Sequence, residues 1–530
     1  MSSFLWRLTA AFASATSTAL AFPHWNLWPV AWFGLVPFLW ALGPCGPRRS
    51  VLMGWLAGSL HYAVLVYWLL GTIQTYGGLP LLLALPVHLL LVLYLGAFWG
   101  LFGGLLSYLR GRTGLPFMVL APPLWCALEW VRGHLLTGFP WGLLGYSQWA
   151  QVPLIQISDL TGVYGVSFLL MASNAALTDL LGACWNPAPG TIRRAFVAVL
   201  TAAFLVGASL IYGVHAIKRT EALCLTAPPL TVGIAQGNIE QTLKWDPAYQ
   251  EATLQIYEEL TERLSAKGAR IVVWPETAAP FFFQIEDAWN TRIRRMARSK
   301  GVELLFGSPA FGIRGNGQRT YYNRAYLLGP DGEVRGSYDK VHLVPFGEYV
   351  PLRRVLFFVR RMVESVGDFS PGAESRPLPS SSGASIGVLI CFESIFPELT
   401  RDLIRNGADV LANLTNDAWF GDTAAPRQHL TMLLFRAVEA RRWIVRSANT
   451  GISAVMDPCG RIRRALPFFH REGVVDTIRR LSIESFYTRW GDFFVYACSL
   501  WTSGLIILGC SAARVRKRLL KQHSNGRGGG

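Results

Sequence analysis

The sequence predicts a membrane α-helical bundle of about eight transmembrane helices joined to one extracytoplasmic α/β domain, and three observations carry that prediction. The chain of 530 residues is 52% hydrophobic and 15% charged, with 20 Trp, too apolar for one soluble globular protein. Its charges are segregated. Before His215 the acids are Glu129, Asp159 and Asp179 and there is no lysine, whereas from Lys218 to about Glu484 the composition is that of an ordinary soluble domain. The arginines of the apolar part sit in short loops between hydrophobic runs. The formal net charge of +16 therefore reads as membrane topology, and no nucleic-acid partner is expected.

A helix that crosses a bilayer needs about 20 mostly apolar residues. Candidates lie near 4–22, 27–43, 51–73, 84–109, 116–135, 162–183 and 195–214, with a last one near 493–513. The stretch 136–161 is interrupted by Gly138, Pro140 and Pro153 and reads as a re-entrant or interfacial loop. Ala19-Leu20-Ala21 resembles a signal-peptidase site, but a single Arg7 is a thin basic region, so the first segment is read as retained. A cytoplasmic N-terminus places Arg48-Arg49, Arg110 with Arg112, Arg193-Arg194 and the basic tail from Arg514 to Lys521 on the inner side, with Lys218-Arg219 the exception. The expected domains are a seven-helix membrane part over 1–217, an extracytoplasmic catalytic domain over 218–490, and a final helix with its tail over 491–530.

The outer domain alternates strand-like and helix-like segments. Leu230–Ala235, Ile271–Trp274, Val302–Phe306, Ser385–Ile390, Val410–Leu414 and Trp443–Ser447 read as buried strands. Ala248–Lys267, Ala288–Lys300 and Leu430–Arg441 have helical periodicity. Gly329-Pro-Asp-Gly332 marks a turn between the strand-like runs Tyr322–Leu328 and Glu333–Ser337. Alternation of this kind argues for α/β layers.

The chemistry gathers at three places. Cys391 ends the apolar run Ser385–Ile390 and is followed by Phe392 and Glu393, where rigid backbone would hold a nucleophile. Alone it would more often be a small core hydrophobe. Glu276 closes the Ile271–Trp274 strand in Trp-Pro-Glu-Thr, and Lys340 and Glu348 lie in the apolar, proline-bracketed run Tyr338–Pro351. Together these offer a nucleophile, a carboxylate base and a cation for a developing oxyanion. The eight cysteines are scattered singly, with no CxxC or HExxH spacing, so no metal and no cofactor is expected. Cys224 and Cys459 could pair in an oxidising compartment.

Glu276, Lys340 and Cys391, in that order and in those motifs, resemble the Glu-Lys-Cys triad of the nitrilase superfamily. With seven apolar segments before and one after, the chain is similar to the bacterial apolipoprotein N-acyltransferases. Further matches are Gln236-Gly-Asn-Ile239 with Lys244-Trp245, Tyr322-Asn323, Asn413–Gly421 and Arg446–Gly451. The resemblance implies a nitrilase-like α-β-β-α sandwich outside the cytoplasmic membrane. It implies an acyl chain taken from a phospholipid donor and given to the α-amino group of a diacylglyceryl apolipoprotein, through a Cys391 thioester and without ATP. It makes Glu276 the base, Lys340 the oxyanion cation and Glu348 the residue that orients Lys340 or the proton path. Glu393, Phe392 and Asn323 would support them, and Trp245 and Trp419 would bind substrate. Phe392 stands where some members have Tyr, which removes any role for a phenolic hydroxyl there.

Val355-Leu-Phe-Phe-Val359, with Phe357 and Phe358 beside Arg360-Arg361, pairs an apolar stripe with cations, and Phe281-Phe-Phe283 is a second apolar loop. Both are expected to form a lid that dips into the outer leaflet. The expected protein is a monomer in the bacterial inner membrane with its catalytic domain in the periplasm. The alternatives are a membrane-anchored nitrilase-type amidase, a transporter with a sensing domain, and a hydrolase that pairs Cys391 with His342 or His429.

Overall fold

A computed structural model describes residues 2–313, 317–345, 347–349 and 369–525, with side chains from residue 4 to residue 511 within those ranges. The chain divides into two compact units. One comprises Met1–Tyr67, Leu85–Gly213 and Asp492–Gly530, the other Trp68–Ala84 and Val214–Gly491.

The first unit is helical. Four of the described helices, Leu81–Thr113, Val163–Trp185, Thr191–Thr226 and Phe493–Ser511, are long and apolar enough to cross a membrane, or five if Pro47–Leu65 and Trp68–Thr75 count as one span. About eight were expected, and the shortfall has local causes. The segment 27–43 carries Pro29, Gly34 and Pro37 and breaks into Trp28–Trp32 and Val36–Leu42. The freed amide of Leu35 is taken by Asn174 Oδ1 at 2.8 Å. Phe117–His134 holds Pro122, Pro123, Glu129 and Arg132. The expected span 51–73 ends as a helix at Leu65, and Trp68–Ala84 groups with the second unit instead.

The interrupted stretch 136–161 folds inside the first unit. Non-helical backbone at membrane depth needs partners from the protein, and they are present. Arg132 donates to Trp141 O at 2.7 Å, and Leu144 N donates to Glu129 Oε1 at 2.7 Å. Gly145 N reaches Ser167 Oγ at 2.9 Å.

The second unit holds two six-stranded sheets. Strands β1 (Pro229–Gln236), β2 (Ile271–Val273), β3 (Glu303–Ile313), β4 (Arg319–Leu328), β5 (Val334–Asp339) and β12 (Glu472–Arg479) form one, in the order β12-β1-β2-β3-β4-β5. Strands β6 (Leu378–Pro379), β7 (Ser385–Ile390), β8 (Val410–Thr415), β9 (Ile444–Ala448), β10 (Ala454–Met456) and β11 (Ile462–Ala465) form the other, in the order β11-β10-β9-β8-β7-β6. β1, β2 and β3 run parallel, as do β7, β8 and β9.

Side chains on a strand alternate between its faces, and the two faces of each sheet find different partners. Val232, Ile234, Val273 and Leu305 of the first sheet meet Ile386, Val388, Ile390, Val410, Ala412 and Val445 of the second in one core. On the far face of the first sheet, Val272, Trp274, Leu304 and Phe306 pack on Leu254, Tyr257, Ile293 and Met296 of helices Gln250–Ala266 and Ala288–Lys300. Helices Pro397–Arg405 and Ala425–Ala440 follow β7 and β8. The result is a layered α-β-β-α domain. Ala288–Lys300 begins and ends where its periodicity predicts, with Asp287 accepting from Asn290 N at its N-terminus and Gly301 in the left-handed region at its end. β3 and β4 extend beyond the expected strands as a ten-pair antiparallel ladder, and helix Ala425–Ala440 starts five residues before Leu430.

Candidate active site

The parallel strands of both sheets end at one edge of the domain, the usual place for chemistry in parallel α/β sheets. Glu276 follows β2. Its turn rides directly over β3, where a Cβ on Gly307 would stand 2.4 Å from Thr277 N and 2.8 Å from Glu276 Cα. Thr277 itself has a φ of 45°. Glycine at 307 is therefore what lets the carboxylate-bearing turn lie against the sheet.

Lys340 follows β5. Its amide donates to Asn323 O at 2.9 Å, and its carbonyl accepts from Gly372 N at 2.8 Å. Its Nζ is buried, 2.9 Å from Glu348 Oε1, 2.8 Å from Glu348 Oε2 and 3.6 Å from Glu276 Oε1. Asn323 Nδ2 donates to both carboxylates, at 2.7 Å to Glu276 Oε1 and 3.0 Å to Glu348 Oε1. Val344 N holds the second Glu348 oxygen at 2.8 Å. Burial works against the Lys340 charge, yet the Glu348 and Glu276 carboxylates outweigh it and hold its pKa above the ordinary lysine value.

Cys391 stands at the exit of β7 with a φ of 51°, the left-handed region that costs a residue with a Cβ. This sharp turn presents the side chain at the strand end. Burial pushes the thiol well above its ordinary pKa; Glu276 pushes it the same way, Lys340 opposes, and Thr415 hydrogen-bonds the sulfur. Glu276, Lys340 and Cys391 thus lie within electrostatic reach of one another. A thiol so placed carries its proton at rest, so it would need a base to act as a nucleophile.

Glu393 ties the two loops together. Its Oε1 accepts from Tyr338 OH (2.9 Å), Val341 N (2.6 Å) and His342 N (3.1 Å), while Oε2 accepts from Ile390 N at 2.7 Å. One fully buried carboxyl therefore fixes the segment after Lys340 to the strand before Cys391. Burial is the largest influence on it and raises its pKa to about 7.

Behind Cys391 lies a second polar cluster. Asp417 pairs with Arg446 and lies 3.0 Å from His429 Nδ1, and its Oδ1 accepts from Thr415 Oγ1 at 2.9 Å. His429 Nε2 is 2.8 Å from Ser394 Oγ and 3.2 Å from the backbone O of Cys391. His429 is thereby turned to the Cys391 backbone, while His342 stacks on Phe396 with ring centres 3.9 Å apart. These contacts do not support a Cys-His pair.

Two families match the sequence: apolipoprotein N-acyltransferase N-terminal domain over residues 14–176 and carbon-nitrogen hydrolase over residues 231–487. An apolipoprotein N-acyltransferase of Geobacter metallireducens is 43% identical over 495 residues, covering 92% of this chain and 92% of that one. The chain belongs to the apolipoprotein N-acyltransferase family. A second such relative, from Azotobacter vinelandii, is 36% identical over 511 residues, covering 96% of this chain and 95% of that one. Among solved structures, an amidase from Nesterenkonia sp. AN1 matches at 23% identity with a TM-score of 0.37, covering 51% of this chain and 96% of that chain. As a member of the apolipoprotein N-acyltransferase family, the chain is an acyltransferase with a nitrilase-superfamily fold, and its apolar helices fit a membrane protein.

Of the residues singled out by sequence, Glu276, Lys340, Glu348, Asn323, Cys391 and Glu393 converge. Phe392 packs edge-on to Phe396 at 5.1 Å. Trp245 is half-buried beside Lys244. Trp419 packs on Tyr76 at 4.8 Å, and its carbonyl accepts from Thr72 Oγ1 at 3.0 Å. Phe357 and Phe358 lie outside the described residues. Phe283, expected in an exposed lid, is instead core, packed edge-on to Phe306 at 4.9 Å. For Phe283 the lid expectation is corrected, because a large aromatic beside a sheet buries readily, while Phe281 and Phe282 are half-buried. The Asp417–His429–Arg446 cluster and the position of Lys244 were not foreseen. Their sequence signal was the motifs Lys244-Trp245, Asn413–Gly421 and Arg446–Gly451, which name the residues but not the contacts they make.

Proposed function

We propose that this acyltransferase moves an acyl chain from a membrane phospholipid to the α-amino group of the N-terminal S-diacylglyceryl-cysteine of an apolipoprotein, in two half-reactions through a Cys391 thioester. The observation that carries the reading is the Lys340 ammonium held between two carboxylates beside the half-buried Cys391 thiol. In the first half-reaction Glu276 takes the Cys391 proton as the sulfur attacks the ester carbonyl carbon. Lys340 stabilises the tetrahedral oxyanion. The C–O bond breaks, and Glu276 returns the proton to the departing lysophospholipid alkoxide.

In the second half-reaction the unprotonated amine attacks the thioester carbonyl and Glu276 takes one of its protons. Collapse expels the Cys391 thiolate, which recovers the proton from Glu276. Glu348 and Asn323 orient Lys340 and Glu276, and Glu393 keeps the lysine loop in register with the nucleophile. Trp245 and Trp419 bind substrate. A membrane part over 1–217 and a final helix over 491–530 hold the catalytic part over 218–490 on the periplasmic face of the inner membrane. The protein works as a monomer.

The test is initial-rate kinetics with both substrates varied. Parallel double-reciprocal lines and release of lysophospholipid before lipoprotein is added are expected. Intersecting lines without early release would replace the thioester by direct transfer.

A further inference from the structure

The proposed reaction uses one cation, but the site holds a second. Lys244 is 2% exposed, and its Nζ donates to the backbone O of Glu276 at 2.9 Å. Among the described residues no carboxylate lies within the 4 Å of an ion pair with it. A buried ammonium without an ion-pair partner is costly, and it is retained here by a loop built to deliver it. That loop leaves β1 and is fastened to the turns after β8 and β9. Asn416 Nδ2 donates to Gln241 Oε1 at 2.5 Å, Asn449 Nδ2 donates to Ile239 O at 2.7 Å, and Ile239 N donates to Asn449 Oδ1 at 3.0 Å. The anchoring thus comes from the second sheet, while the Lys244 bond goes to Glu276 of the first.

We propose that protonated Lys244 is a positioning residue of the acyl-transfer site, fixing the left-handed turn that carries Glu276 and supplying the positive field in which the Cys391 sulfur becomes anionic. The inference rests on the Cys391 thioester reading and deepens it. The charged groups that face Lys244 are Glu276 and Cys391, with Lys340 and Glu348 beyond Glu276. The two cations differ in kind. Burial is the largest influence on both, but at Lys340 two carboxylates outweigh it and hold the pKa above the ordinary lysine value, whereas at Lys244 it prevails and lowers the pKa to about 8, with Glu276 and Cys391 resisting. Lys244 is therefore charged below about pH 8 and neutral above it. A neutral amine still donates one N–H to Glu276 O, so the turn survives while the field is lost.

This puts a break into the profile of an ordinary thiol, which gains reactivity steadily with pH as thiolate accumulates. Alkylation of Cys391 by iodoacetamide in the full-length protein, followed by peptide mass spectrometry from pH 6.5 to 9.5, reads it without any lipid. In the unsubstituted chain the Cys391 rate is expected to climb with pH but with a severalfold downward step superimposed on the climb as pH passes about 8. In Lys244→Met the rate is low and the step is absent; in Lys244→Arg the rate stays high past pH 9, because a guanidinium keeps its charge. A Cys391 rate that rises smoothly with pH in the unsubstituted chain, or a step that persists in Lys244→Met, overturns the proposal. Thermal melts of each variant separate loss of fold from loss of field. If Lys244→Arg does not fold, the pH profiles of the other two chains still decide. Acyl-adduct formation from phospholipid distinguishes the two layers of the argument. Absence of an adduct in the unsubstituted chain removes the thioester reading, whereas equal adduct rates in that chain and in Lys244→Met remove only the role of Lys244.

Discussion

Two buried charge clusters flank Cys391, and they are built differently. On the side of the first sheet, Glu276 and Glu348 keep 9% and 12% of their side chains exposed around Lys340, and the Lys340–Glu276 separation is 3.6 Å. On the side of the second sheet, Asp417 and Arg446 have no exposed side-chain surface. Arg446 also donates to Asn413 Oδ1 at 2.5 Å and to Ile452 O at 3.1 Å. Burial works to raise the Asp417 pKa, but Arg446 and His429 prevail and hold it below the ordinary carboxylate range. One cluster has slack, and its carboxylates face a thiol; the other is saturated. Buried charge alone does not mark a working group. A working group has a proton to move and room for a ligand atom, whereas a saturated pair fixes backbone.

The comparison can be broken by mutation, and the largest effect belongs to the saturated side. Arg446→Met leaves Asp417 buried without its charge partner and should cost about 3–5 kcal/mol of stability, read as a large drop in melting temperature with activity lost alongside. A variant that melts like the unsubstituted chain would show that Asp417 is solvated after all. Lys340→Met should do the reverse, lowering the acyl-adduct rate about a hundredfold or more while the melting temperature changes far less. If both variants lose stability equally, the distinction between the clusters collapses.

Glu393 stands between these extremes. Glu393→Gln turns an amide donor toward Ile390 N–H and should cost about 1–3 kcal/mol. Its pH dependence sharpens the point. With a folded pKa of about 7 against an ordinary value of 4.5, the folded chain holds this proton more tightly than the unfolded one. Its contribution to stability is complete below about pH 4.5 and is lost as pH rises toward 7. Melting temperatures measured over that window should fall with pH in the unsubstituted chain, and that component should be missing in Glu393→Gln. The smallest effect is expected for Trp419→Ala. It removes an aromatic contact with Tyr76 worth about 0.5–1.5 kcal/mol beyond its buried area, and a change confined to the Michaelis constant for one lipid would support substrate contact there.

Much of this was legible in sequence because the signals were local. The strand Ser385–Ile390 and helix Ala288–Lys300 declare themselves by periodicity and end signals. Glu276, Lys340 and Cys391 stand out as polar groups closing apolar runs. What escaped depended on pairing at a distance. β12 joins β1 across more than two hundred residues, and its half-exposed residues give little alternation to read. Lys244 looks like any loop lysine until Asn416 and Asn449 fold the loop inward. The spans were overcounted because hydropathy registers composition and not backbone continuity. Pro29, Gly34 and Pro37 break one apolar stretch, and another divides after Leu65, with Trp68–Thr75 turned to the catalytic unit through Trp68–Gln428 and Tyr76–Ala418 hydrogen bonds.

The central claim is that Cys391 carries the acyl group. Intact-mass and peptide mass spectrometry of the purified protein, incubated with phospholipid alone, tests it most directly. The expected result is one acyl chain on the Cys391 peptide, removed by hydroxylamine and matched by an equal amount of lysophospholipid, with no adduct and no transfer in Cys391→Ala. Transfer to lipoprotein that continues in Cys391→Ala, or that proceeds in the unsubstituted chain while Cys391 stays unmodified, would contradict it.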